Sequence, residues 1–353
     1  MEPPRPLQPG APDTGHDPAA KLHFLLSPAA HGADADAAEL IETHMSWVVL
    51  CGERALKMKK PVRYAFLDFS TPAAREHDAR EELRLNRRLA PQVYLGLLAL
   101  QWHEGEFSLL PAEQLPAPGD TVDWLVLMQR LPAHDMLDSM IARQAVRPWH
   151  IDLLAQRLAG FYRHAARADV CSEEYVARIE REQQANRAVL LDPRFRTGAA
   201  QEALDRFAQA LTGHTGLLHQ RVRQERIVDG HGDLRPEHVC LLQPPVLIDC
   251  LEFDPALREV DPFDELAFLG MECQVAGAGW IGPRLWAACA EQLDDRPPAA
   301  LRQLYWARRA LVRARLSVAH LLDPQPRTPG RWLPRGAQYL AQAMGALQRL
   351  QAA

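Results

Sequence analysis

Two aspartates frame the segment of this chain with the densest ionisable chemistry. Asp233 sits in His231-Gly232-Asp233-Leu234-Arg235-Pro236-Glu237-His238-Val239, and Asp249 follows sixteen positions later in Val246-Leu247-Ile248-Asp249-Cys250. Short β-like pieces, His238 to Leu242 and Val246 to Asp249, flank the turn Gln243-Pro244-Pro245, so two carboxylates at strand mouths can converge while the backbone holds them still. Phosphoryl transfer asks for that pair: one carboxylate to accept the proton of an attacking hydroxyl, another to hold a metal that bridges phosphates. An isolated aspartate more often caps a loop, and the joint spacing is what favours chemistry here. A second chemistry open to the same residues is metal-dependent hydrolysis by His231, Asp233, His238 and Asp249.

The elements that must position these groups fall into two regimes. Residues 19 to 42 mix alanine, leucine and acids and read as a helix or two. Ser46 to Leu50 and Ala55 to Lys59 alternate with period two around Gly52, a hairpin stopped by Pro61. Thr71-Pro72 opens a long amphipathic helix that Pro91 ends, with Leu83, Leu85 and Leu89 as its apolar stripe. Strands follow at Tyr94 to Trp102, Phe107 to Leu110 and Trp124 to Met128, the last unbroken in apolar character and so suited to burial.

Beyond Leu131-Pro132 the periodicity becomes helical. Segments are expected at 148–166, 172–191, 199–223, 264–273, 283–293, 298–322 and 336–350, interrupted by Gln224 to Asp254. A loop with four prolines, Asp323 to Gly336, precedes the last helix. The resulting fold class is α+β: a 1–20 proline-rich flexible tail, a strand-rich lobe at 21–131 with one long helix, and a mostly helical lobe at 132–353 that carries both ionisable loops.

Composition removes whole classes of function. The 353 residues are 47% apolar and 24% charged with a net charge of -5, the proportions of an ordinary globular protein with no basic block to attract nucleic acid. No apolar run reaches the roughly 18 residues of a membrane span. The proline-rich start has no hydrophobic stretch and cannot be a secretory signal, so cytoplasm is the expected compartment. Six cysteines without a C-x-x-C pair argue against a zinc knuckle or a disulfide framework. No G-x-x-x-x-G-K-[ST] occurs.

The loop at 231–238 with the aspartate at 249 resembles the catalytic and metal-binding loops of the aminoglycoside phosphotransferase-like branch of the protein-kinase-like fold. ETHMSWVVLCGERALKMKKPV, FLDFSTPAAR, EELRLNRRLAPQVYLG and IDCLEFDPALREVDPFDELAFLGME are similar, in the same order, to a bacterial group of that branch, covering Glu42 to about Gly279. The resemblance implies a bilobal small-molecule kinase using ATP and Mg²⁺, or Mn²⁺, with a hydroxylated small molecule as acceptor. Asp233 would be the base or hydroxyl-orienting residue and Asp249 the principal metal ligand. Lys57, with Lys59 as the alternative, would contact the α/β-phosphates. Glu82, or its neighbour Glu81, would steer that lysine. The main chain of Met128, Gln129, Arg130 and Leu131 would hold adenine.

Two departures accompany the match. His238 stands where the family usually places an asparagine as second metal ligand, although imidazole suits softer metals than Mg²⁺. No glycine-rich loop covers the phosphates, leaving the Thr43 to Ser46 turn, with the Ser46 hydroxyl, to do so. Both keep open a nucleotide-binding pseudokinase with a regulatory role. His231 reads as a brace for its loop.

Glu252, Asp254, Glu259, Asp261, Asp264 and Glu265 form an acidic cluster that could bind a polycationic sugar; Asp261 and Asp264 read instead as caps of the following helix. Tyr305, Arg309 and Arg313 share one helical face, where the arginines could meet an anionic substrate or pair with acidic neighbours.

Overall fold

The protein was analysed as a computed structural model, which describes residues 17–32, 36–64, 67–195, 198–323, 326 and 328–352. The proline-rich start up to residue 16 lies outside the described residues. The chain forms two compact units. Of the described residues, one unit comprises those from 17 to 133 together with Val246–Asp254, and the other comprises His134–Pro245 with those from Pro255 onward. The Asp249 loop, expected in the helical lobe, therefore groups with the sheet.

In the sheet unit, α1 (Pro18–Leu26) is capped by the Asp17 carboxylate, which accepts from the Ala19 N–H at 3.1 Å. Six antiparallel strands follow in the order β1-β2-β3-β8-β6-β7. They are β1 (Glu39–Glu42), β2 (Ser46–Cys51), β3 (Arg54–Lys59), β6 (Tyr94–His103), β7 (Glu106–Pro111) and β8 (Asp120–Gln129), with a separate small pair β4 (Arg63–Tyr64) and β5 (Leu67–Asp68). β1 occupies residues expected to be helical: Leu40 and Ile41 pair with Val49 and Val48, and strand pairing overrode a helical composition.

Period two divides β3 between the faces of the sheet. Leu56 and Met58 join Leu25, Val49, Leu100, Val122 and Leu125 in an apolar cluster covered by α1. Each such side chain, fully buried, contributes about 1.5–3 kcal/mol. Lys57 and Lys59 project from the other face. There α2 (Pro72–Asn86) packs against β8; Thr71 caps it by accepting the Ala74 N–H at 3.2 Å, and it stops five residues before Pro91. Its buried face is not the leucine stripe alone but Arg75, Asp78, Ala79, Glu82, Leu85 and Asn86. Burying Arg75 is tolerable because Asp123 takes its Nε at 2.7 Å and its second nitrogen at 3.0 Å, while Lys21 donates to the same carboxylate at 3.0 Å.

The helical unit contains α3 (Leu137–Ala142), which the sequence reading lacked, then α4 (Pro148–His164), α5 (Ser172–Leu190) and α6 (Ala200–Arg223). Short strands β9 (Val228–Asp229) and β10 (Val239–Cys240) flank the Asp233 loop; β11 (Val246–Leu247) leads into Asp249 in the sheet unit. β12 (Glu259–Val260) pairs antiparallel with β9 and enters α7 (Pro262–Val275), whose first twelve residues are all buried. α8 (Ile281–Gln292), α9 (Ala299–Ala319) and α10 (Trp332–Gln351) pack around that unit, α10 beginning four residues before the expected start. The six cysteines carry free thiols, all buried but Cys171. Among the described residues, no helix is long and apolar enough to cross a membrane.

Candidate active site

In the sheet unit the Lys57 ammonium donates to Glu82 Oε1 and to Asp249 Oδ1, both at 2.7 Å. Burial acts to lower the pKa of this lysine, but Asp249 and Glu82 outweigh it and raise it well above the ordinary value. Burial likewise works to raise Glu82, and the charges of Lys57 and Lys59 overcome it, holding the carboxylate below its ordinary range. Glu82 rather than Glu81 is thus the carboxylate that contacts Lys57; Glu81 points elsewhere and pairs with Arg84 at 2.7 Å.

Lys59 stands beside this pair. Its ammonium lies 2.8 Å from Glu82 Oε2 and 2.9 Å from Asp78 Oδ2 and also donates to Glu252 Oε1. Its side chain is 3% exposed against 13% for Lys57. Lys57 is thus the less enclosed of the two lysines.

Asp249 adopts φ +62, a left-handed conformation that costs a non-glycine residue on the order of 1–3 kcal/mol. Neighbours fix it: the Asp249 N–H donates to the Tyr94 hydroxyl oxygen at 3.1 Å, and the Cys250 N–H to Asn86 Oδ1 at 2.9 Å. Asn86 is held in turn by the Glu82 carbonyl at 2.9 Å. The Asp249 side chain remains 44% exposed, an oxygen donor on a fixed backbone.

Other expected contacts of this unit are already engaged. The Gln129 and Arg130 N–H groups donate to Val93 and Glu53 carbonyls at 2.8 and 2.7 Å, so neither main-chain donor is left for adenine. Met128 is within β8, opposite Ala55 and Tyr94, and Leu131 follows the strand end. Ser46 is buried, and its N–H donates to Thr43 Oγ1 at 2.9 Å in the turn that closes the β1–β2 hairpin.

In the helical unit Glu265 builds the Asp233 loop. From the first turn of α7 its carboxylate accepts the His231 N–H at 3.0 Å, the Gly232 N–H, and the Tyr162 hydroxyl at 2.8 Å. Gly232 takes φ +88, which glycine adopts freely. His231 is fully buried and its Nδ1 accepts the Asp233 N–H at 3.3 Å, the bracing position. Arg235 donates from Nε to Asp233 Oδ2 at 3.0 Å and from another nitrogen to Glu237 at 3.1 Å. Burial tends to raise the Asp233 pKa, but His238, Arg235 and Arg313 prevail and set it below the ordinary value.

His238 is placed differently from a metal ligand. Its Nδ1 lies 2.8 Å from the Asp233 carbonyl and must donate; its Nε2 lies 3.0 Å from Arg235, a donor only, and must accept. The lone pair a metal would need is taken, and the imidazole instead ties Arg235 to the loop.

Most of the acidic cluster is engaged in ion pairs and caps. Asp261 caps α7 through the Phe263 N–H at 3.0 Å and takes Arg221 at 2.6 Å and Tyr305 at 2.9 Å. Asp264 binds Arg308 and Arg309 at 2.7 and 2.8 Å, Glu259 binds Arg178, and Arg313 donates to Glu272 at 2.6 Å. The helical face of Tyr305, Arg309 and Arg313 is consumed by these acids. Asp78 and Tyr94 escaped the sequence reading, and Glu252 and Glu265 entered it only as members of the acidic cluster. The i, i+4 spacing of Asp78, Glu82 and Asn86 on α2 was the one available signal, a polar stripe where an apolar one was expected.

No family model matches the chain. Uncharacterized proteins of Mycobacterium tuberculosis and Mycobacterium bovis are each 32% identical to it over 293 residues, 81% of this chain and 55% of theirs. The chain thus spans about half the length of the curated relatives it matches. Among solved structures, a choline kinase from Cryptosporidium parvum superposes with a TM-score of 0.55 at 9% identity, covering 95% of this chain and 97% of that one. A choline/ethanolamine kinase family protein from Mesorhizobium loti gives a TM-score of 0.50 at 14% identity, over 95% and 93%. At such identity the likeness is one of fold: the chain has the protein-kinase-like fold, α+β, with an antiparallel sheet unit and a mostly helical unit.

Proposed function

We propose that the chain is an ATP-dependent phosphotransferase that moves the γ-phosphate to a hydroxyl of a small molecule, with Asp233 as the hydroxyl-orienting base and Asp249 as the Mg²⁺ ligand. The carrying observation is the ammonium of Lys57 fixed between Glu82 and Asp249, 25 and 192 residues away in sequence. Such a lysine is rigid and fully charged, and it offers phosphates a cation without a mobile counterion. The kinase-like fold and the resemblance of the 231–249 segment support the same reading.

Mg²⁺ prefers oxygen donors and is held through one or two protein carboxylates, a preference that favours Asp249 over His238, whose Nε2 lies beside Arg235. Mn²⁺ fits the same carboxylate. When bound, the metal would neutralise charge on the phosphates. Asp233, kept ionised by Arg235 and His238, accepts a hydrogen bond from the incoming hydroxyl and fixes its direction. Because the transition state is loose, direction matters more than early proton removal. Adenine recognition by the 128–131 segment falls to Leu131 and to carbonyl groups, since two of its donors are engaged. The working partners are ATP and a hydroxylated small molecule, in the cytoplasm, with neither nucleic acid nor membrane. The consumed acidic cluster disfavours a polycationic acceptor.

A second reading has its own observation. Arg235 clasps Asp233, and His238 has no lone pair for a metal, an arrangement that also suits a nucleotide-binding module without transfer. Calorimetric titration with ATP, with and without Mg²⁺, followed by an ADP-release screen over hydroxylated metabolites, separates the readings. Metal-dependent binding with acceptor-dependent ADP release is expected. Binding without release under any acceptor supports the module; no nucleotide binding removes both.

A further inference from the structure

The second lysine of β3 has no part in the roles so far assigned, yet it is the more deeply buried of the two. The Lys59 ammonium is within ion-pair distance of three carboxylates, those of Asp78, Glu82 and Glu252. Asp78 and Glu82 are one turn apart on α2 and would repel one another without a cation between them. Glu82 gives one oxygen to each lysine, Oε1 to Lys57 and Oε2 to Lys59. Asp249 and Glu252 repeat the division from their loop, Asp249 on Lys57 and Glu252 on Lys59.

Two lysines spaced by two on a strand thus face two acids spaced by four on a helix and two spaced by three on a loop. The ring Lys57–Glu82–Lys59–Glu252 closes through the loop backbone to Asp249 and back to Lys57. Phe69 completes the surroundings, its ring centroid 5.5 Å from the Lys59 nitrogen. Removing Lys59 would leave Glu82 free to swing with both oxygens toward Lys57 and would take from Glu252 its ion pair with β3.

Resting on the phosphotransferase reading, we propose that Lys59 and Glu252 form a positioning clamp that locks the Asp249 loop to β3 and α2 and so fixes the distance between phosphate-binding Lys57 and metal-binding Asp249. Lys59 does not touch the nucleotide; it acts through Glu82 and the loop. Its contribution is to hold two opposed groups at a set separation, the condition under which a phosphate chain and its metal can be gripped together.

The test uses Lys59→Met and Glu252→Ala in the full chain, the second keeping Lys59 paired with Asp78 and Glu82 in case the first does not fold. Hydrogen exchange read by mass spectrometry is expected to rise about tenfold or more in peptides spanning Asp249 to Glu252, with β6 unchanged. KM for ATP should rise about tenfold or more while KM for the acceptor stays near wild type, a split that general destabilisation would not produce. Wild-type exchange in the 249–252 peptides of a folded variant overturns the clamp. So does equal acceleration throughout the sheet unit. Absence of ATP binding in the unmutated protein defeats the phosphotransferase reading instead, and the exchange experiment still decides whether the clamp exists.

Discussion

Lys57 Nζ and Asp249 Oδ1 are 2.7 Å apart although 192 residues separate them, and the carboxylate is held there on left-handed backbone by Tyr94. A pair so constrained is organised before any ligand arrives. Lys57→Met should therefore weaken Mg²⁺-dependent ATP binding by about 30-fold or more, the consequence of removing one partner from a charged contact. Isothermal calorimetry would read this directly; unchanged affinity would mean that nucleotide binds without Lys57.

Asp233 is depressed chiefly because His238 and Arg235 outweigh its burial. With that depression, the acid limb that Asp233 sets in a kcat against pH profile should lie well below neutrality. Arg235→Ala removes a guanidinium and leaves burial less opposed, so the Asp233 pKa moves upward. The acid limb of the profile should shift to higher pH in the variant, and an unmoved limb would dissociate Asp233 from the rate.

Glu252 is pushed up to about 7, because burial and the neighbouring Glu82 and Asp78 exceed the pull of Lys59 and Lys57. A carboxyl whose folded pKa is raised keeps a proton that the unfolded chain has lost, so stability falls as pH climbs from the ordinary glutamate range through about 7. The loss is on the order of 3 kcal/mol across that window. Glu252→Gln should flatten this slope. Urea midpoints at pH 5 and pH 8 make the comparison, and a variant with the wild-type slope would show that another group carries it.

Gly230 lies where a Cβ would come within 2.6 Å of Val260 Cγ2 and 2.8 Å of Glu265 Oε2. Alanine there presses on the carboxylate that holds the His231 and Gly232 amides. Gly230→Ala should cost about 1–3 kcal/mol of stability through overpacking. It should also lower kcat beyond what the folded fraction accounts for, measured on protein whose folded population is known from circular dichroism.

Much of the site's inventory was legible in the residues themselves. Alternation along Ala55 to Lys59 put both lysines on one face, Thr71-Pro72 began α2 where the chain does begin it, and spacing singled out Asp233 and Asp249. These features depend on backbone geometry over a few residues, which local side chains dictate. β1 escaped because its strand state comes from pairing with β2, not from its own composition.

Tertiary structure alone chose among equivalent groups. Nothing near Lys57 or Lys59 in sequence says which will be enclosed; Glu252, 193 positions from Lys59, decides it. Nothing around His238 discloses that Arg235 takes its lone pair, nor around Asp261 and Asp264 that Arg221 and Arg309 neutralise them. The type of an ionisable side chain is written in the chain. Whether it stays charged, and whether it faces a ligand or a partner, follows from burial and from ion pairs that exist only once distant segments have met.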